Sequence, residues 1–479
     1  MDTSSFQVPL AVDLDGSLLR SDLLHESALK LLRERPLEAL ATLHWLVQGK
    51  AYLKQQIAER IDLDIKTLPF DVDVLAWLRS EHSLGRRIIL CTASDKRFAC
   101  QVAAHLEVFD EVIASDGTVN NSGHRKAETL VERYGEKGFD YVGNSLADVP
   151  VWAQARRAIV VGRGVGVERA ARRVAEIERQ FASPSRGLMT WTRALRLHQW
   201  VKNLLIVLPL LAAHRLTDWH VLGNSLVAFV SFGLCASSVY LINDLMDVES
   251  DRQHERKRRR PFASGELSHV KGLFVSCACL FAAFAIGSTL PSHYVHWLAV
   301  YWALTLFYTF LLKRKVLVDA LTLAALYTLR ILAGGAATGI TPGFWLLALS
   351  MFIFFSLALV KRYSELEAQT GRGPQMARGR GYVANDLPLI QSLGIASGFA
   401  AVVVLALYIN GETIALRYAS PQIVWLTVPI LLYWISRMWV KAHRSEMVDD
   451  PVVFAITDGL SLMSIAAFMV VLWAATLQW

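Results

Sequence analysis

The stretch Tyr240-Leu-Ile-Asn-Asp-Leu-Met-Asp-Val-Glu-Ser-Asp251 closes a long apolar run with a cluster of acidic side chains. Read as one helix, it places Asp244, Asp247 and Asp251 at positions i, i+3 and i+7, on one face near the bilayer surface. Carboxylates this close repel one another, and a divalent cation relieves the repulsion. Ligands that are all oxygen favour Mg²⁺, which completes its shell with water and substrate phosphate oxygens. The pattern therefore predicts a site for Mg²⁺ and a diphosphate.

Basic residues follow these aspartates directly. The run His254-Glu-Arg-Lys-Arg-Arg-Arg-Pro-Phe-Ala-Ser-Gly265 supplies Lys257, Arg258 and Arg260. Cations beside a carboxylate-bound metal compensate the charge of a leaving diphosphate. A solvated acidic loop is the alternative for an isolated aspartate triplet, and the adjacent cations argue against it.

The 479-residue chain divides into two regions of different composition. Its hydrophobic fraction of 53% and mean hydropathy of +0.34 exceed those of a soluble domain. Residues 1–163 are rich in charge and predict a folded soluble domain, whereas residues 191–479 contain repeated apolar runs of membrane-spanning length. Between them, residues 164–190 predict a linker with an amphipathic helix from Val167 to Glu178, which either lies on the membrane surface or packs against a domain.

Nine apolar segments predict nine transmembrane helices, near residues 195–213, 221–243, 271–290, 294–312, 316–338, 343–361, 388–409, 420–440 and 453–477. The connections on the side of the N-terminal domain carry seventeen basic residues, and the others carry two. The positive-inside rule then predicts a cytosolic N-terminal domain, cytosolic active sites and an outward C-terminus. The seventeen are Arg252, Arg256, Lys257, Arg258, Arg259, Arg260, Lys313, Arg314, Lys315, Lys361, Arg362, Arg372, Arg378, Arg380, Arg437, Lys441 and Arg444; the two are Arg215 and Arg417.

Three other features narrow the class of protein. The start of the chain, Met1 to Leu10, is short and soon reaches Asp13, so no cleavable signal peptide is expected. The net charge of +7 comes with basic residues in loops between membrane segments, which indicates membrane topology and not nucleic-acid binding. The five cysteines lack disulfide or metal-site spacing, and we expect all of them to be small buried apolar residues; they are Cys91, Cys100, Cys235, Cys277 and Cys279.

The run from Asn243 to Gly265 resembles the first aspartate-rich motif of the UbiA prenyltransferase superfamily, and the nine predicted helices match the fold of that superfamily. The likeness covers about residues 191–479. It implies an all-α membrane fold in which Asn243, Asp244, Asp247 and Asp251 bind Mg²⁺ and a diphosphate.

One departure points to a branch of that superfamily. Where aromatic-acceptor members carry a second aspartate-rich motif, this chain has Lys361-Arg-Tyr-Ser-Glu-Leu366, with Glu365 as the only acid among those six residues. Together with four further motifs, it resembles the decaprenyl-phosphate phosphoribosyltransferases, which move phosphoribose from phosphoribosyl diphosphate to a polyprenyl phosphate. These motifs are Arg196-Leu-His-Gln-Trp-Val-Lys-Asn203, Tyr308-x4-Lys313-x5-Asp319, Arg330-x3-Gly-Gly335 and Asp449-Asp-Pro-Val452.

The resemblance implies a set of substrate-binding residues in the membrane domain. Both substrates are anionic, and the 5-phosphate of the donor needs cations distant from the diphosphate, for which Lys202, Lys313, Lys361 and Arg362 are candidates. Each of these four is equally explained as the cytosolic anchor of a helix end. The full implied set is Lys202, Asn203, Asn243, Lys257, Arg258, Arg260, Tyr308, Lys313, Asp319, Lys361, Arg362 and Glu365.

The N-terminal region shows apolar strands that end in polar residues. Val8-Pro-Leu-Ala-Val-Asp-Leu-Asp-Gly-Ser17 ends in Asp13 and Asp15, whose i, i+2 spacing sends both side chains to one side. Arg87-Ile-Ile-Leu-Cys-Thr92 ends in a hydroxyl, Lys126 follows a polar turn, and Phe139-Asp-Tyr-Val-Gly-Asn-Ser-Leu-Ala-Asp148 opens onto a polar loop. Strands that alternate with helices predict a parallel, doubly wound α/β sheet with its site at the carboxyl ends of the strands.

In this order, the pieces resemble the four motifs of the haloacid dehalogenase (HAD) superfamily over about residues 8–163, with a helical insertion near 20–80 that looks like a cap. The resemblance implies that Asp13 is a phosphoryl-accepting nucleophile, Asp15 a general acid and base, and Thr92 and Lys126 phosphoryl-binding residues. It also implies Mg²⁺ bound by Asp13, the backbone carbonyl of Asp15, Asn144 and Asp148. Asn144 stands where an acid is common, so weaker Mg²⁺ binding is expected, and a purely structural domain remains an alternative.

Together the two resemblances predict a bifunctional membrane enzyme that uses Mg²⁺ in both domains. It would transfer 5-phosphoribose to a polyprenyl phosphate, and the fused phosphatase would then remove the 5-phosphate. One alternative is prenyl transfer to an aromatic acceptor beside an inactive N-terminal domain. A second is a membrane scaffold or transporter without catalysis.

Overall fold

The computed structural model describes residues 8–162, 164–182, 187–370, 381–411, 418–447 and 450–477. The chain forms two compact units: Met1–Leu195 together with Leu241–Val275, and Arg196–Tyr240 together with Ser276–Trp479. Several residues singled out from the sequence lie outside the described ranges, namely Arg372, Arg378, Arg380, Arg417 and Asp449.

A six-stranded, fully parallel sheet forms the centre of the first unit, in the order β3-β2-β1-β4-β5-β6. Apolar side chains cover both of its faces, as in other parallel sheets. The predicted parallel α/β domain is therefore confirmed. Its strands are β1 Leu10–Val12, β2 Ile88–Asp95, β3 Glu111–Ser115, β4 Asp140–Gly143, β5 Arg157–Val161 and β6 Glu176–Phe181.

Helices connect these strands, and four of them form the predicted helical insertion between β1 and β2. The first, α1, begins after Asp22, whose carboxylate accepts hydrogen bonds from the backbone N–H groups of Leu24 and His25. The insertion contains α1 Leu23–Glu34, α2 Pro36–Ala39, α3 Thr42–Val47 and α4 Lys50–Arg60. The remaining helices of this region are α5 Val72–Ser83, α6 Lys96–Leu106, α7 His124–Tyr134, α8 Val149–Gln154 and α9 Val165–Val174.

The predicted amphipathic linker helix from Val167 to Glu178 is wrong in its extent. Helix α9 ends at Val174, and the residues after it form β6, which pairs in parallel with β5. Because Val167 and Val174 pack on the core of the sheet, this helix belongs to the N-terminal fold and not to the membrane surface. Most of the predicted linker is therefore part of the α/β domain.

The segment that carries the aspartate motif also belongs to the first unit. It contains the last residues of α12, Trp219–Met246, the short α13, Val248–Arg252, and a 3₁₀ helix, Lys257–Arg259. A small apolar cluster, which includes Leu241, Leu245 and Val248, holds this segment together. Helix α10, Leu188–Ala194, packs on the same cluster through Ala194.

The second unit is helical throughout its described residues. A 3₁₀ helix, Leu197–Val207, leads into α11, Leu208–Ala212, and long helices follow. They are α12, then α14 His269–Gly287, which starts in the first unit, α15 Ser292–Phe310, α16 Val318–Thr338, α17 Phe344–Thr370, α18 Leu387–Ile409, α19 Pro421–Val424, α20 Thr427–His443, α21 Pro451–Thr457 and α22 Gly459–Ala474.

Six helical segments of the described chain are long and apolar enough to cross a membrane: Trp219–Met246, His269–Gly287, Val318–Thr338, Phe344–Ala368, Ala384–Ile409 and Pro421–His443. The pair α21 and α22, bent by 77°, would make a seventh. The predicted count of nine is thus not confirmed. Polar residues such as His293, His296 and Tyr301 lower the hydropathy of α15, and the apolar segment Leu197–Ala212 is short.

The prediction of five buried cysteines is wrong for two of them. Cys91 and Cys235 are buried and Cys279 is partly buried, whereas Cys100 and Cys277 lie on exposed faces of α6 and α14. All five thiols are free, as their spacing predicted.

Candidate active sites

Asp244, near the end of α12, and Asp251, in α13, converge on one cation. Nη1 of Arg260 lies 3.0 Å from Oδ1 of Asp244 and 2.7 Å from Oδ2 of Asp251. Both carboxylates are about 3% exposed, and burial raises the pKa of Asp251 to about 6, an effect that Arg260 opposes and Asp244 reinforces. Two buried carboxylate oxygens therefore meet at one positively charged point.

The predicted single helix through all three aspartates is wrong. Helix α12 ends at Met246, and Asp247, with φ of −100° and ψ of 6°, separates it from α13. The hydrogen bonds from Asp247 N–H to the Asn243 carbonyl and from Asp251 N–H to the Asp247 carbonyl cross the break. The chain thus turns as a helix would, while the axis is interrupted at Asp247.

The donor chemistry of this site fits Mg²⁺. Its side chains offer only oxygen ligands, and the position of Arg260 Nη1 shows that two of them reach a common cation. Within the described ranges, no group of three or more His, Cys, Asp or Glu side chains is placed to hold a metal alone. A cation here would therefore complete its shell with substrate oxygens and water.

The other predicted residues of this site take different positions. Asn243 and Asp247 are partly buried beside Asp244. Lys257 is near enough to lower the pKa of Asp251 electrostatically, whereas Arg258 is exposed on the 3₁₀ helix. Of the three predicted cations, Arg260 is the one that donates hydrogen bonds to Asp244 and Asp251.

In the second unit, Arg362 lies at the centre of a closed polar network. Its guanidinium donates to Asp319, to Glu365 Oε2 at 2.7 Å and to Tyr308 Oη at 3.1 Å, and its side chain is 2% exposed. Tyr382 donates a hydrogen bond to the same Asp319 carboxylate. Sequence reasoning missed Tyr382. The predicted residues Tyr308, Asp319, Arg362 and Glu365 therefore come together, with every arm of Arg362 bound to protein.

Two predicted lysines converge on a carboxylate that was not predicted. Nζ of Lys202 and Nζ of Lys361 lie 2.9 and 2.8 Å from the same oxygen, Oδ2 of Asp450. Although burial acts in the opposite direction, these two cations hold the pKa of Asp450 well below its usual range. Only the motif that contains Asp450 could have indicated it from the sequence.

Asn203 and Lys313 complete the predicted set. Asn203 is 1% exposed and accepts a hydrogen bond from Arg330 Nε at 3.2 Å, but its Nδ2 has no partner. Arg330 also donates to Tyr301 Oη at 3.0 Å. Lys313 lies in the 3₁₀ helix Leu312–Arg314.

In the α/β domain, Asp13 follows β1 at the carboxyl edge of the sheet. Lys126 Nζ lies 2.7 Å from Asp13 Oδ1 and also donates to Tyr141 Oη at 2.9 Å. Burial raises the pKa of Asp13 to about 6, and Lys126 opposes this rise. For Lys126, the carboxylates of Asp13 and Asp148 outweigh burial and raise the pKa. The predicted nucleophile and phosphoryl-binding lysine are therefore in direct contact.

Asp15 is held by groups from two directions. Leu23 N–H, at the start of α1, donates to Oδ1 at 2.8 Å, and Ser94 Oγ donates to Oδ2 at 2.6 Å. Burial raises the pKa of Asp15 to about 7, and Asp22 and Asp13 act in the same direction. A carboxyl group that titrates near neutrality suits a general acid and base.

Thr92 and Ser94 make different contacts at the end of β2. Thr92 is fully buried, and its hydroxyl accepts a hydrogen bond from Ser94 N–H at 3.0 Å. Ser94, which sequence reasoning missed, contacts Asp15. Its position within β2, two residues after Thr92, was the available signal.

The residues of the fourth motif lie on both sides of this site. Asp148 Oδ2 accepts from Asn144 N, Ser145 N and Ser145 Oγ, each at 3.0 Å, so its carboxylate stabilises its own turn. The amide of Asn144 lies against Gly16, which has φ of +80°, and a Cβ on Gly16 would lie 2.0 Å from Asn144 Nδ2. Asp13, Asn144 and Asp148 all offer side-chain oxygens, the ligand type that Mg²⁺ prefers.

Lys54 is a site residue that sequence reasoning missed. It lies on α4 of the insertion, and its Nζ donates to the Ala93 carbonyl at 2.6 Å and to Asn120 Oδ1 at 2.9 Å. Burial lowers the pKa of Lys54, and the charge of Asp15 opposes the change. A lysine inside a segment assigned only as a cap had no pattern that distinguished it.

The apolar helices are those of an integral membrane protein, and the aspartate site offers oxygen ligands beside a cation. Residues 204–457 match the UbiA prenyltransferase family, and the chain belongs to this family. It is 37% identical to an uncharacterized protein of Sinorhizobium fredii over 96% of this chain and 90% of that protein. It is 34% identical to the decaprenyl-phosphate phosphoribosyltransferase of Mycobacterium tuberculosis over 42% of this chain and 68% of that enzyme.

Two solved structures are also similar. A UbiA homologue from Archaeoglobus fulgidus, bound to GPP and Mg²⁺, aligns with 59% of this chain and 99% of its own, at a TM-score of 0.44 and 15% identity. A HAD family hydrolase from Salmonella enterica aligns with 36% of this chain and 68% of its own, at a TM-score of 0.26 and 14% identity.

Proposed function

We propose that this UbiA-type enzyme transfers 5-phosphoribose from phosphoribosyl diphosphate to a polyprenyl phosphate, and that its α/β domain then removes the 5-phosphate. The observation that carries the first step is the convergence of Lys202 and Lys361 on Asp450, a cationic pair of the kind that binds a phosphate. The name of the phosphoribosyltransferase relatives agrees with this substrate.

In the transfer, the bond between the ribose anomeric carbon and the diphosphate breaks, and an oxygen of the lipid phosphate bonds to that carbon. Bound Mg²⁺ would neutralise the leaving diphosphate. Asp244 and Asp251 would hold the cation. Arg260, which donates hydrogen bonds to both carboxylates, would also stabilise the charge on the phosphate oxygens as they leave. The lipid phosphate is already anionic, so positioning and charge compensation supply most of the rate enhancement.

The 5-phosphate of the donor would bind at Lys202 and Lys361. Both Nζ atoms already meet at one carboxylate oxygen, which shows that they can share one anionic atom. The unpartnered Nδ2 of Asn203, next to Lys202, is a buried donor that an anion would satisfy. Arg362 and Glu365 would have a structural role in this region, since all three nitrogens of the Arg362 guanidinium donate hydrogen bonds to protein side chains.

The test of the first step is the formation of a lipid product. Full-length protein in lipid nanodiscs, given polyprenyl phosphate, Mg²⁺ and labelled phosphoribosyl diphosphate, should produce label that extracts with lipid. Asp244→Asn should lower this rate by about 100-fold or more, as loss of a preorganised charged group does. Asp218→Asn, at the other end of α12, is the matched control and should leave the rate unchanged.

The rival function predicts a different product. If the protein instead couples a prenyl diphosphate to an aromatic acceptor and gives no sugar lipid, the proposal is wrong. Loss of both activities in Asp244→Asn would still identify the aspartates as the diphosphate site.

The second step would use the α/β domain. Asp13 would attack the 5-phosphate, with Lys126 compensating the negative charge, and Asp15 would protonate the ribose oxygen as the ester bond breaks. Asp15 would then take a proton from the water that hydrolyses the aspartyl-phosphate. Lys54 faces this site from α4 and is a further cation for the substrate.

An Asp13→Asn variant tests this step. We expect it to accumulate the 5-phosphorylated lipid, because the amide cannot form the phosphoryl intermediate. Mass spectrometry of the extracted lipid distinguishes the two products, and Asp73→Asn, an exposed position on α5, serves as control. Unchanged release of phosphate by Asp13→Asn would contradict the phosphatase assignment and leave the transferase assignment intact.

A further inference from the structure

The α/β domain contacts the aspartate segment through a buried ion pair. Glu26, on α1, accepts hydrogen bonds from Arg252, the last residue of α13: Nη2 to Oε1 at 2.5 Å and Nη1 to Oε2 at 3.1 Å. The two side chains are 7% and 6% exposed. A bidentate pair of this kind fixes the direction of both side chains as well as their distance.

Arg252 is joined directly to the diphosphate site. It follows Asp251 in the chain, and Asp251 shares Arg260 with Asp244. Its Nε donates to the Ala263 carbonyl at 2.9 Å, so the same guanidinium ties the loop beyond Arg260 back to α13. Because Arg252 and Asp251 are adjacent residues of α13, a displacement of the backbone at Arg252 would also displace Asp251.

Other contacts hold α1 against the same segment. Lys30 Nζ lies 2.8 Å from Glu249 Oε1, and Leu29 packs on the apolar cluster around Leu245 and Val248. At the far end of the loop, Gly265 has φ of +73°, and a Cβ there would lie 2.7 Å from Cβ of Arg20. The contact thus extends along the helix and does not depend on one side chain.

We propose that α1 of the α/β domain is a component of the transferase site, with Glu26 as a positioning residue that orients Asp251 through Arg252. The inference rests on the assignment of Asp244 and Asp251 as the diphosphate site, and not on the identity of the group transferred. Within this arrangement the α/β domain supports the first reaction structurally, whatever chemistry it performs itself.

Removal of the Glu26 charge should loosen the site without removing a ligand. Arg252 would keep its hydrogen bond to the Ala263 carbonyl but lose the carboxylate that fixes its orientation. A buried guanidinium without a charged partner is unfavourable, so the Arg252 side chain would change its position. Asp251 would then sample several orientations. Affinity for Mg²⁺ and diphosphate should fall as a result, and the Mg²⁺ concentration for half-maximal transfer should rise.

Binding of inorganic diphosphate in the presence of Mg²⁺ provides the test, because it needs no knowledge of the donor. We would measure it by calorimetry on full-length protein in nanodiscs for the wild type, Glu26→Gln, Arg252→Gln and the double variant. We expect each single variant to bind about tenfold more weakly and the double variant to bind no more weakly than the singles, since both remove one interaction. Glu34→Gln, an exposed change on the same helix, should bind like the wild type.

Each outcome decides the proposal. Equal affinity in the wild type and all variants overturns it and leaves the aspartate assignment standing; no binding by the wild type overturns both. Thermal unfolding of each variant separates a local effect from loss of fold. If Glu26→Gln does not fold, Glu26→Asp keeps the charge with a shorter reach, and undiminished diphosphate affinity in that variant overturns the proposal.

Discussion

At the scale of single residues, Lys361 has two roles that can be separated. Its Nζ donates to Asp450 at 2.8 Å, and the proposed function assigns it to the 5-phosphate. In Lys361→Gln, Asp450 keeps Lys202, so we expect the free energy of unfolding to fall by only about 2 kcal/mol, the scale of one charged hydrogen bond. We expect KM for phosphoribosyl diphosphate to rise about tenfold, because that loss corresponds to one such contact. Denaturation and steady-state kinetics measure the two effects.

The variant Asp450→Asn distinguishes the roles. It removes the carboxylate that Lys202 and Lys361 share, so the free energy of unfolding should fall further than in Lys361→Gln. If Lys361 serves only to neutralise Asp450, KM should rise at least as much as in Lys361→Gln. If Lys361 binds the donor, KM should stay near the wild-type value, because both lysines are kept. Lys315→Gln, at an exposed position before α16, is the control for loss of one basic side chain.

At the scale of elements, the 3₁₀ segment before α12 bears on the number of membrane crossings. A 3₁₀ helix rises about 2.0 Å per residue and an α-helix about 1.5 Å. The segment Leu197–Ala212, 3₁₀ in its first part and α in its second, therefore covers roughly 30 Å, close to the thickness of the hydrocarbon core. Length measured in residues alone underestimates its reach. A crossing here would allow the basic loop after α13 and the α/β domain to lie on one side of the membrane.

The break between α12 and α13 lies beside the contact with α1. Asp247 separates the two helices, and Arg252, which ends α13, meets Glu26. The hydrogen bonds of Asp247 N–H and Asp251 N–H continue the helical pattern across the break. The chain therefore keeps a helical turn where it meets α1.

At the scale of the whole molecule, we predict that the α/β domain faces the cytosol, because the basic loops predicted on its side of the membrane satisfy the positive-inside rule. Cys100 is exposed on this domain and provides a natural probe. In a Cys277→Ala background, a membrane-impermeant maleimide should fail to label Cys100 in intact cells and should label it in inside-out vesicles.

Ser292→Cys, at the exposed first residue of α15, is the matched position for the opposite side. It should react in intact cells, where Cys100 is protected. Labelling of Cys100 in intact cells would reverse the proposed orientation, and the phosphatase would then face away from a cytosolic sugar-phosphate donor.

The sequence by itself determined the classes of fold and the membrane family. Strands that end in Asp13, Thr92 and Asn144 alternate with helices, and such local periodicity, confirmed in the parallel sheet, depends on near neighbours in the chain. The apolar runs and the Asp244 motif likewise identified the membrane family. The motif residues Asp13 and Lys126, and Tyr308 and Arg362, were predicted in common sites and do meet.

Only the tertiary structure decided which partner each charged group takes. Lys202 and Lys361 share Asp450 across 248 and 89 residues, and Glu26 meets Arg252 across 226, separations at which no sequence periodicity operates. The membership of β6 in the sheet was also not predicted, since it depends on pairing with β5. The break at Asp247 was not predicted either. Patterns in the sequence report local geometry, whereas long-range contacts arise from the packing of whole elements.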